Sequence, residues 1–154
     1  MVNPSDNTDM VEWDEKYVTG IELIDSQHKE LFSLTNELFR ACLGGNEELK
    51  EVFKETMGQM VEYVRFHFGA EQVLLQRINY PDYQEHKKQH DILVRDILEA
   101  VSGYSKGEKF VPNQFVRTMR DWILSHIALS DKRYAAYIAD QKKKGLLSDK
   151  DING

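Results

Sequence analysis

Residues 67–90, HFGAEQVLLQRINYPDYQEHKKQH, contain the end of one predicted helix and the start of the next. Apolar residues recur at helical spacing as far as Ile78, and Asn79, Tyr80 and Pro81 then interrupt the pattern. Pro81 suits the first turn of a new helix, where its missing N–H has no intrahelical partner to lose. Because the break is only a few residues long, the two helices are expected to be antiparallel neighbours.

Helical periodicity continues on both sides of this break, and no stretch alternates as a strand would. The predicted helices run from about 21 to 43, from about 47 to 78, from about 81 to 102, and from about 112 onwards. Gly44-Gly45 is a typical stop for the first helix, Asn46 a suitable N-cap for the second, and Gly103 a stop for the third. Short connections between four long helices favour an up-down-up-down arrangement.

The sequence therefore predicts an all-α fold, an up-down-up-down four-helix bundle. An N-terminal extended arm anchored by Trp13 precedes the bundle, and a short C-terminal helical extension follows it. We expect residues 1–10 to be a flexible N-terminus, residues 11–140 to form the bundle, and residues 141–154 to be a fraying tail.

Composition narrows the class of protein. The 154 residues are 41% hydrophobic and 30% charged, which is typical of one globular domain. The net charge of −6 and the absence of a basic stripe argue against nucleic-acid binding. No apolar run approaches bilayer length, and the polar N-terminus is unlike a targeting peptide, so membrane insertion is not expected. A single cysteine, Cys42, excludes an intrachain disulfide and fits a cytoplasmic protein.

The histidines share one property. All five lie on apolar helix faces: His28, His67, His86, His90 and His126. In an antiparallel bundle, the start of the first and third helices and the end of the second and fourth helices meet at one end. Their positions along the helices correspond to depths of roughly 6–16 Å from that end, at 1.5 Å per residue. The histidines are therefore expected to form one layer in the core.

Two carboxylates belong to the same layer. Glu71 follows His67 by four residues, and Asp131 follows His126 by five. A carboxylate on a buried face needs a cation to offset the cost of its charge. Five imidazoles and two carboxylates are too many ligands for one tetrahedral zinc and suit two metal ions. Imidazole binds iron, copper, nickel or zinc, whereas a haem would leave most of these ligands unexplained.

The combined pattern resembles the hemerythrin family, and in particular its single-domain bacterial members. The resemblance covers roughly residues 11–140 and rests on His28, HFGAE (67–71), HKKQH (86–90) and HIALSD (126–131), together with VTGIELIDSQHKEL (18–31). It implies two non-haem iron ions with a bridging oxo or hydroxo group. By this resemblance, His86, His90 and His126 would bind one iron, and His28 and His67 the other. Glu71 and Asp131 would bridge the two.

The resemblance also implies reversible binding of O2 at an open position of the second iron. Phe68, Trp122 and Ile123, with Phe32 one turn from His28, are the candidate wall of an O2 pocket. The expected function is oxygen storage or delivery to an O2-consuming enzyme, by a protein expected to be a monomer and not an enzyme. Two alternatives stay open: a di-iron enzyme (an oxidase, peroxidase or nitric-oxide-handling protein) and an oxygen or iron sensor.

The five-residue step from His126 to Asp131 sets a further expectation. On a regular α-helix, residues five apart lie about 140° from each other around the axis, so these two side chains would not share a face. We therefore predict that the fourth helix is bent, widened or interrupted around Ala128–Ser130. Ser130 is a candidate cap for a segment that restarts after the interruption.

Overall fold

Four long helices pack side by side, and each contacts two of the others, so that together they enclose a common core. The structure is a computed structural model, and it describes residues 10–43, 47–106 and 112–154. The helices are α1 (Glu22–Cys42), α2 (Glu47–Arg77), α3 (Tyr83–Ser105) and α4 (Pro112–Ser125). The fourth continues as a π-helical segment (His126–Asp131) and α5 (Lys132–Lys143). Helix α1 contacts α2 and α4, and α3 contacts α2 and α4, which confirms the predicted four-helix bundle.

The apolar positions that predicted the helices are the ones that pack in the core. Ile78, which directly follows α2, is buried together with these residues on the inner face of that helix: Phe53, Met57, Met60, Val64, His67, Glu71, Leu74 and Leu75. Burying the apolar members of such a face stabilises the fold by about 1.5–3 kcal/mol for each large side chain. Among the described residues, no helix is both long enough and apolar enough to cross a bilayer.

Some predicted helix ends differ from the structure. Pro81 lies in a turn with Asp82, and α3 begins at Tyr83 instead of at the proline. Gly103 does not stop α3, which runs on to Ser105; a glycine costs a helix only about 1 kcal/mol, and packing can offset that. The predicted stop at Gly44-Gly45, the predicted cap Asn46 and residues 1–9 of the predicted flexible N-terminus lie outside the described residues.

The N-terminal arm is held against α1 by one buried amide. Asn36 accepts hydrogen bonds from the backbone N–H groups of Met10 and Val11, both at 2.9 Å, and donates to the carbonyl of Val11 at 3.0 Å. A short 3₁₀ helix (Glu15–Tyr17) follows. The ring of Trp13 packs edge-on against Phe32, with the ring centres 5.4 Å apart.

This amide supports a prediction about stability. The substitution Asn36→Leu removes one acceptor and one donor and leaves backbone groups of the arm without partners. We expect the free energy of unfolding to fall by about 2–4 kcal/mol, since each unsatisfied buried polar group costs about 1–3 kcal/mol. Urea denaturation measures this loss. The control is Glu37→Leu, at the exposed neighbouring position, and an Asn36→Leu value within about 0.5 kcal/mol of that control would contradict the prediction.

The C-terminal segment was expected to fray, and that expectation is wrong. Helix α5 continues to Lys143, and a further short helix, α6 (Asp149–Asn153), docks against α2. The carboxylate of Asp151 accepts from the backbone N–H of Ser148 at 2.8 Å, which helps to start α6. Ile152 is buried in a cluster that includes Ile24 and Leu74. Burial of this apolar side chain helps to hold the segment against α2.

The single cysteine is set partly into the core. Cys42 packs against the main apolar cluster, and burial raises the pKa of its thiol from 9.0 to about 11. The thiolate is the reactive form, so at pH 8 a two-unit increase lowers its fraction about 100-fold. We expect Ellman's reagent to modify Cys42 at least tenfold more slowly than it modifies glutathione. Modification as fast as that of glutathione would contradict this prediction.

Candidate metal centre

The seven side chains predicted as metal ligands lie together near one end of the bundle. Helix α1 contributes one of them, α2 and α3 contribute two each, and the π-helical segment contributes two. None is more than 6% exposed: His28, His67, Glu71, His86, His90, His126 and Asp131. The layer that the helical depths predicted is therefore present in the structure.

Glu71 lies at the centre of this layer. Its Oε1 is 2.5 Å from Nε2 of His86 and 3.1 Å from Nε2 of His90. Its Oε2 is 3.3 Å from Nε2 of His67 and 3.7 Å from Nε2 of His28. One carboxylate thus faces histidines from three different helices.

Asp131 approaches the same histidines from the fourth helix. Its Oδ1 is 3.2 Å from Nε2 of both His86 and His126. Its Oδ2 is 3.1 Å from Nε2 of His28. Like Glu71, Asp131 therefore directs one oxygen towards each side of the layer.

The donor atoms divide into two groups. Within each group all the atoms lie within 4.8 Å of one another, close enough to surround one metal ion. The first group contains Glu71, His86, His90, His126 and Asp131, and the second contains His28, His67, Glu71 and Asp131. The two carboxylates are the members that the groups share. This division suits two adjacent metal ions better than one.

The π-helical segment brings Asp131 into the layer. It spans His126–Asp131, and its i→i+5 hydrogen bonding brings residues five apart onto the same side of the helix. This confirms the predicted widening of the fourth helix. The predicted role of Ser130 is wrong: the helix does not restart, because Asp131 has helical dihedral angles (φ −73°, ψ −36°) and α5 follows directly. The Ser130 hydroxyl instead donates to Oε1 of Gln89 at 2.8 Å.

Several ligand atoms of the layer are buried without a hydrogen bond to any described residue. Among the described residues, both ring nitrogens of His28 and both carboxylate oxygens of Asp131 are buried without a hydrogen bond. Nε2 of His90 lies 3.0 Å from Nε2 of His126, so two ring nitrogens converge on one point. Buried polar atoms rarely remain without partners in proteins. Imidazole nitrogens and carboxylate oxygens arranged in this way fit bound metal cations.

The electrostatics of the layer also favour bound positive charge. Burial lowers the pKa of His28 and of His86, but the carboxylates of Asp131 and Glu71 outweigh it and raise both values to about 9. Burial lowers the pKa of His90 to about 4. Burial opposes ionisation of Glu71 and Asp131, yet the surrounding histidines hold the pKa of each carboxyl well below its usual range. The carboxylates are thus ionised and available to a cation.

Apolar residues enclose the layer on both sides. One cluster contains Leu31, Phe68 and Ile123, and a second contains Ile24, Leu74 and Ile138. The ligand positions fall between these two clusters along the helices. Water therefore has little access to the carboxylates, and electrostatic attraction to a cation is correspondingly strong.

All four predicted pocket residues belong to the apolar cluster next to the ligands. The Phe68 ring stacks on His90 with centres 3.7 Å apart, and the Trp122 ring stacks on His126 at 4.6 Å. Ile123 is buried in the same cluster. Phe32 is buried in this cluster too, and its ring contacts are with Trp13 at 5.4 Å and Tyr17 at 5.1 Å. Its place is between the layer and the N-terminal arm.

Four polar residues that hold this layer were not identified from the sequence. Oε1 of Gln27 accepts from Nδ1 of His67 at 2.7 Å, and Oε1 of Gln89 accepts from Nδ1 of His126 at 2.9 Å. The other two contacts are Nε2 of Gln72 at 3.1 Å from Nδ1 of His90, and the Tyr134 hydroxyl donating to Oε2 of Glu71 at 3.1 Å. The only sequence signal was that each glutamine is adjacent to a predicted ligand.

Comparison with known proteins identifies the family. The model of the family described as "Hemerythrin HHE cation binding domain" matches residues 19–138. The chain belongs to the hemerythrin family. A bacteriohemerythrin of Methylococcus capsulatus is 32% identical over 119 residues, which are 77% of this chain and 88% of that protein. A hemerythrin-like protein of Naegleria gruberi is 31% identical over 122 residues, 79% of this chain and 88% of that protein.

Solved structures of the family have the same fold. The crystal structure of wild-type hemerythrin aligns with a TM-score of 0.77 at 29% sequence identity, covering 82% of this chain and 96% of that one. A bacteriohemerythrin of Pseudomonas aeruginosa extends the similarity to 92% of this chain, at 28% identity. The range matched by the family model, residues 19–138, contains the positions of all seven predicted ligands.

Proposed function

We propose that this hemerythrin-family protein binds O2 reversibly at a di-iron centre, for storage or for delivery to an O2-consuming enzyme. The observation that carries the proposal is the sharing of Glu71 and Asp131 by two otherwise separate groups of histidines. When bound, a pair of iron ions supplies two electrons and an open position at which O2 is taken up and released. The remaining argument concerns what the residues of this chain do for such a pair.

The ligand groups differ in size. His86, His90 and His126 with the two carboxylates give one iron five protein ligands, whereas His28 and His67 with the same carboxylates give the other four. The larger group would therefore occupy more coordination positions of its iron, and the smaller group would leave more room for O2. The smaller group is therefore the proposed O2 side.

The charges of the layer also suit this use. Two carboxylates offset half the charge of two divalent ions, and a bridging oxo or hydroxo group adds further negative charge. The five other ligands are neutral imidazoles, which favour high oxidation states of iron less than carboxylates do. This ligand set is better suited to reversible binding than to oxidation of a substrate.

The surrounding side chains would keep bound O2 away from water. We propose Phe68, Trp122 and Ile123 as walls of the pocket, with Phe32 one turn further along α1. These residues belong to the apolar cluster next to the ligands. A dry, apolar surrounding limits proton entry and solvent access, which are outer-shell properties that tune a metal site.

One experiment tests this function. The purified protein is loaded with ferrous iron without oxygen, exposed to air, and then returned to an oxygen-free atmosphere. We expect two irons per chain and a charge-transfer absorption that appears with O2 and disappears on its removal over several cycles. Irreversible oxidation with turnover of an added reductant would favour the di-iron enzyme. A single bound zinc per chain would contradict both functions.

A further inference from the structure

Gln89 on α3 contacts two residues of the π-helical segment. It lies between the predicted ligands of that helix, directly before His90, and its side chain is directed towards the fourth helix. Its Oε1 accepts two hydrogen bonds, from Nδ1–H of His126 at 2.9 Å and from the hydroxyl of Ser130 at 2.8 Å. One oxygen atom on α3 therefore contacts both ends of the π-helical segment.

The first of these bonds orients an imidazole. A neutral histidine that donates from Nδ1 has no proton on Nε2, which is directed away from the acceptor. Nε2 of His126 is the atom that lies 3.0 Å from Nε2 of His90 and 3.2 Å from Oδ1 of Asp131. The amide of Gln89 thus selects the form of His126 that can bind a metal.

The second bond holds the backbone that carries Asp131. Ser130 immediately precedes Asp131 in the π-helical segment. A π-helical turn is rare within an α-helix, and a contact with a neighbouring helix helps to hold it in place. The Ser130 hydroxyl supplies one by donating to Gln89. Stacking of Trp122 on His126 holds the plane of the imidazole, but a stacked ring is not held in one tautomer.

We propose that Gln89 is a positioning residue, which uses one amide oxygen to fix both His126 and the π-helical segment bearing Asp131. The inference rests on the proposed di-iron function, because it concerns the same centre. Gln89 ties the two ligands of the fourth helix to α3, which itself carries His86 and His90. Four of the five members of the larger ligand group, all except Glu71, therefore lie on the two helices that Gln89 joins.

The test compares four single variants and one double variant with the unsubstituted protein in its iron-loaded form. Gln89→Leu removes the acceptor at similar size, Gln89→Glu keeps an oxygen acceptor, and Ser130→Ala removes one of the two donors. Gln84→Leu makes the same change as Gln89→Leu at an exposed position of α3 and is the control. The measured quantity is the rate at which iron is lost to an excess of a ferrous chelator.

We expect Gln89→Leu to accelerate iron loss by roughly 10- to 100-fold, the usual effect of removing an outer-shell partner of a metal ligand. Gln89→Glu is expected to stay within about threefold of the unsubstituted protein, since its carboxylate can accept both bonds. Ser130→Ala should have a smaller effect than Gln89→Leu. Adding Ser130→Ala to Gln89→Leu should have no further effect, because Ser130 acts through Gln89.

A second readout does not require iron. Nitrogen-15 NMR of labelled histidines in the metal-free protein reports which ring nitrogen of His126 carries the proton. We expect the Nδ1–H form in the unsubstituted protein, in Gln89→Glu and in Gln84→Leu, and a mixture of tautomers in Gln89→Leu. Thermal unfolding of the metal-free variants measures any general loss of stability. Such a loss alone would not change which ring nitrogen of His126 carries the proton.

These readouts separate the inference from the function on which it rests. If the unsubstituted protein does not hold two irons, the proposed function fails and the NMR result alone decides the role of Gln89. Equal iron loss from Gln89→Leu and Gln84→Leu, with two irons bound in each, would overturn the inference. So would an unchanged His126 tautomer in Gln89→Leu, or iron loss from Gln89→Glu as fast as from Gln89→Leu.

Discussion

Replacing Glu71 with glutamine is expected to lower the bound iron from two ions per chain to at most one. The carboxylate lies 2.5–3.7 Å from Nε2 of four histidines and belongs to both ligand groups. A neutral amide cannot offset the charge of two cations, and its NH₂ end repels a metal. The affinity should fall by more than the roughly 100-fold that is typical at the upper end for outer-shell residues.

Elemental analysis of protein reconstituted with ferrous iron and then desalted measures this effect. The matched control is Glu62→Gln, which makes the same change at an exposed position of the same helix and should retain two irons. Circular dichroism confirms that each variant keeps its helices. If folded Glu71→Gln protein still holds two irons per chain, the assignment of Glu71 as the shared ligand is wrong.

Iron loading is expected to raise the midpoint of thermal unfolding by about 10 °C. The layer places two ionised carboxylates in an apolar core, and bound metal cations would offset their charge. A ligand present at about 1,000 times its Kd stabilises the folded state by about 4 kcal/mol. For a chain of this size, each kcal/mol corresponds to roughly 2–4 °C.

This prediction is checked by anaerobic thermal unfolding with and without ferrous iron, followed by circular dichroism. Glu71→Gln provides the internal comparison and should show less than about one third of the stabilisation. A midpoint that does not move with iron would mean that the layer is stable as a metal-free core. Equal shifts in the two proteins would show that iron acts somewhere other than this layer.

The main features of the fold and the candidate ligands could be predicted because they depend on spacing. Helical periodicity together with the short break at Asn79–Pro81 predicted antiparallel neighbours, and that topology placed residues as distant as His28 and His126 in one layer. The five-residue step to Asp131 predicted a local widening because a regular α-helix cannot place both side chains on one face. The structure has a π-helical segment at that point.

The residue roles that the sequence did not reveal depend on contacts between elements that are distant in sequence. Ser130 has the residue type of a helix cap, but its partner is Gln89, 41 positions away. Ile152 is one apolar residue in a polar segment, and only the position of α6 against α2 shows that it is buried. Gln27 and Tyr134 likewise acquire their roles from side chains on other helices. No periodic pattern marks such residues.

The most direct test of a di-iron centre is a crystal structure of the iron-loaded protein, with anomalous diffraction recorded on both sides of the iron absorption edge. We predict two iron peaks per chain, about 3.5–4 Å apart as in other two-metal sites, both within bonding distance of Glu71 and Asp131. One iron should also be bound by His86, His90 and His126, and the other by His28 and His67. A single peak, or two peaks that share neither carboxylate, would contradict the account.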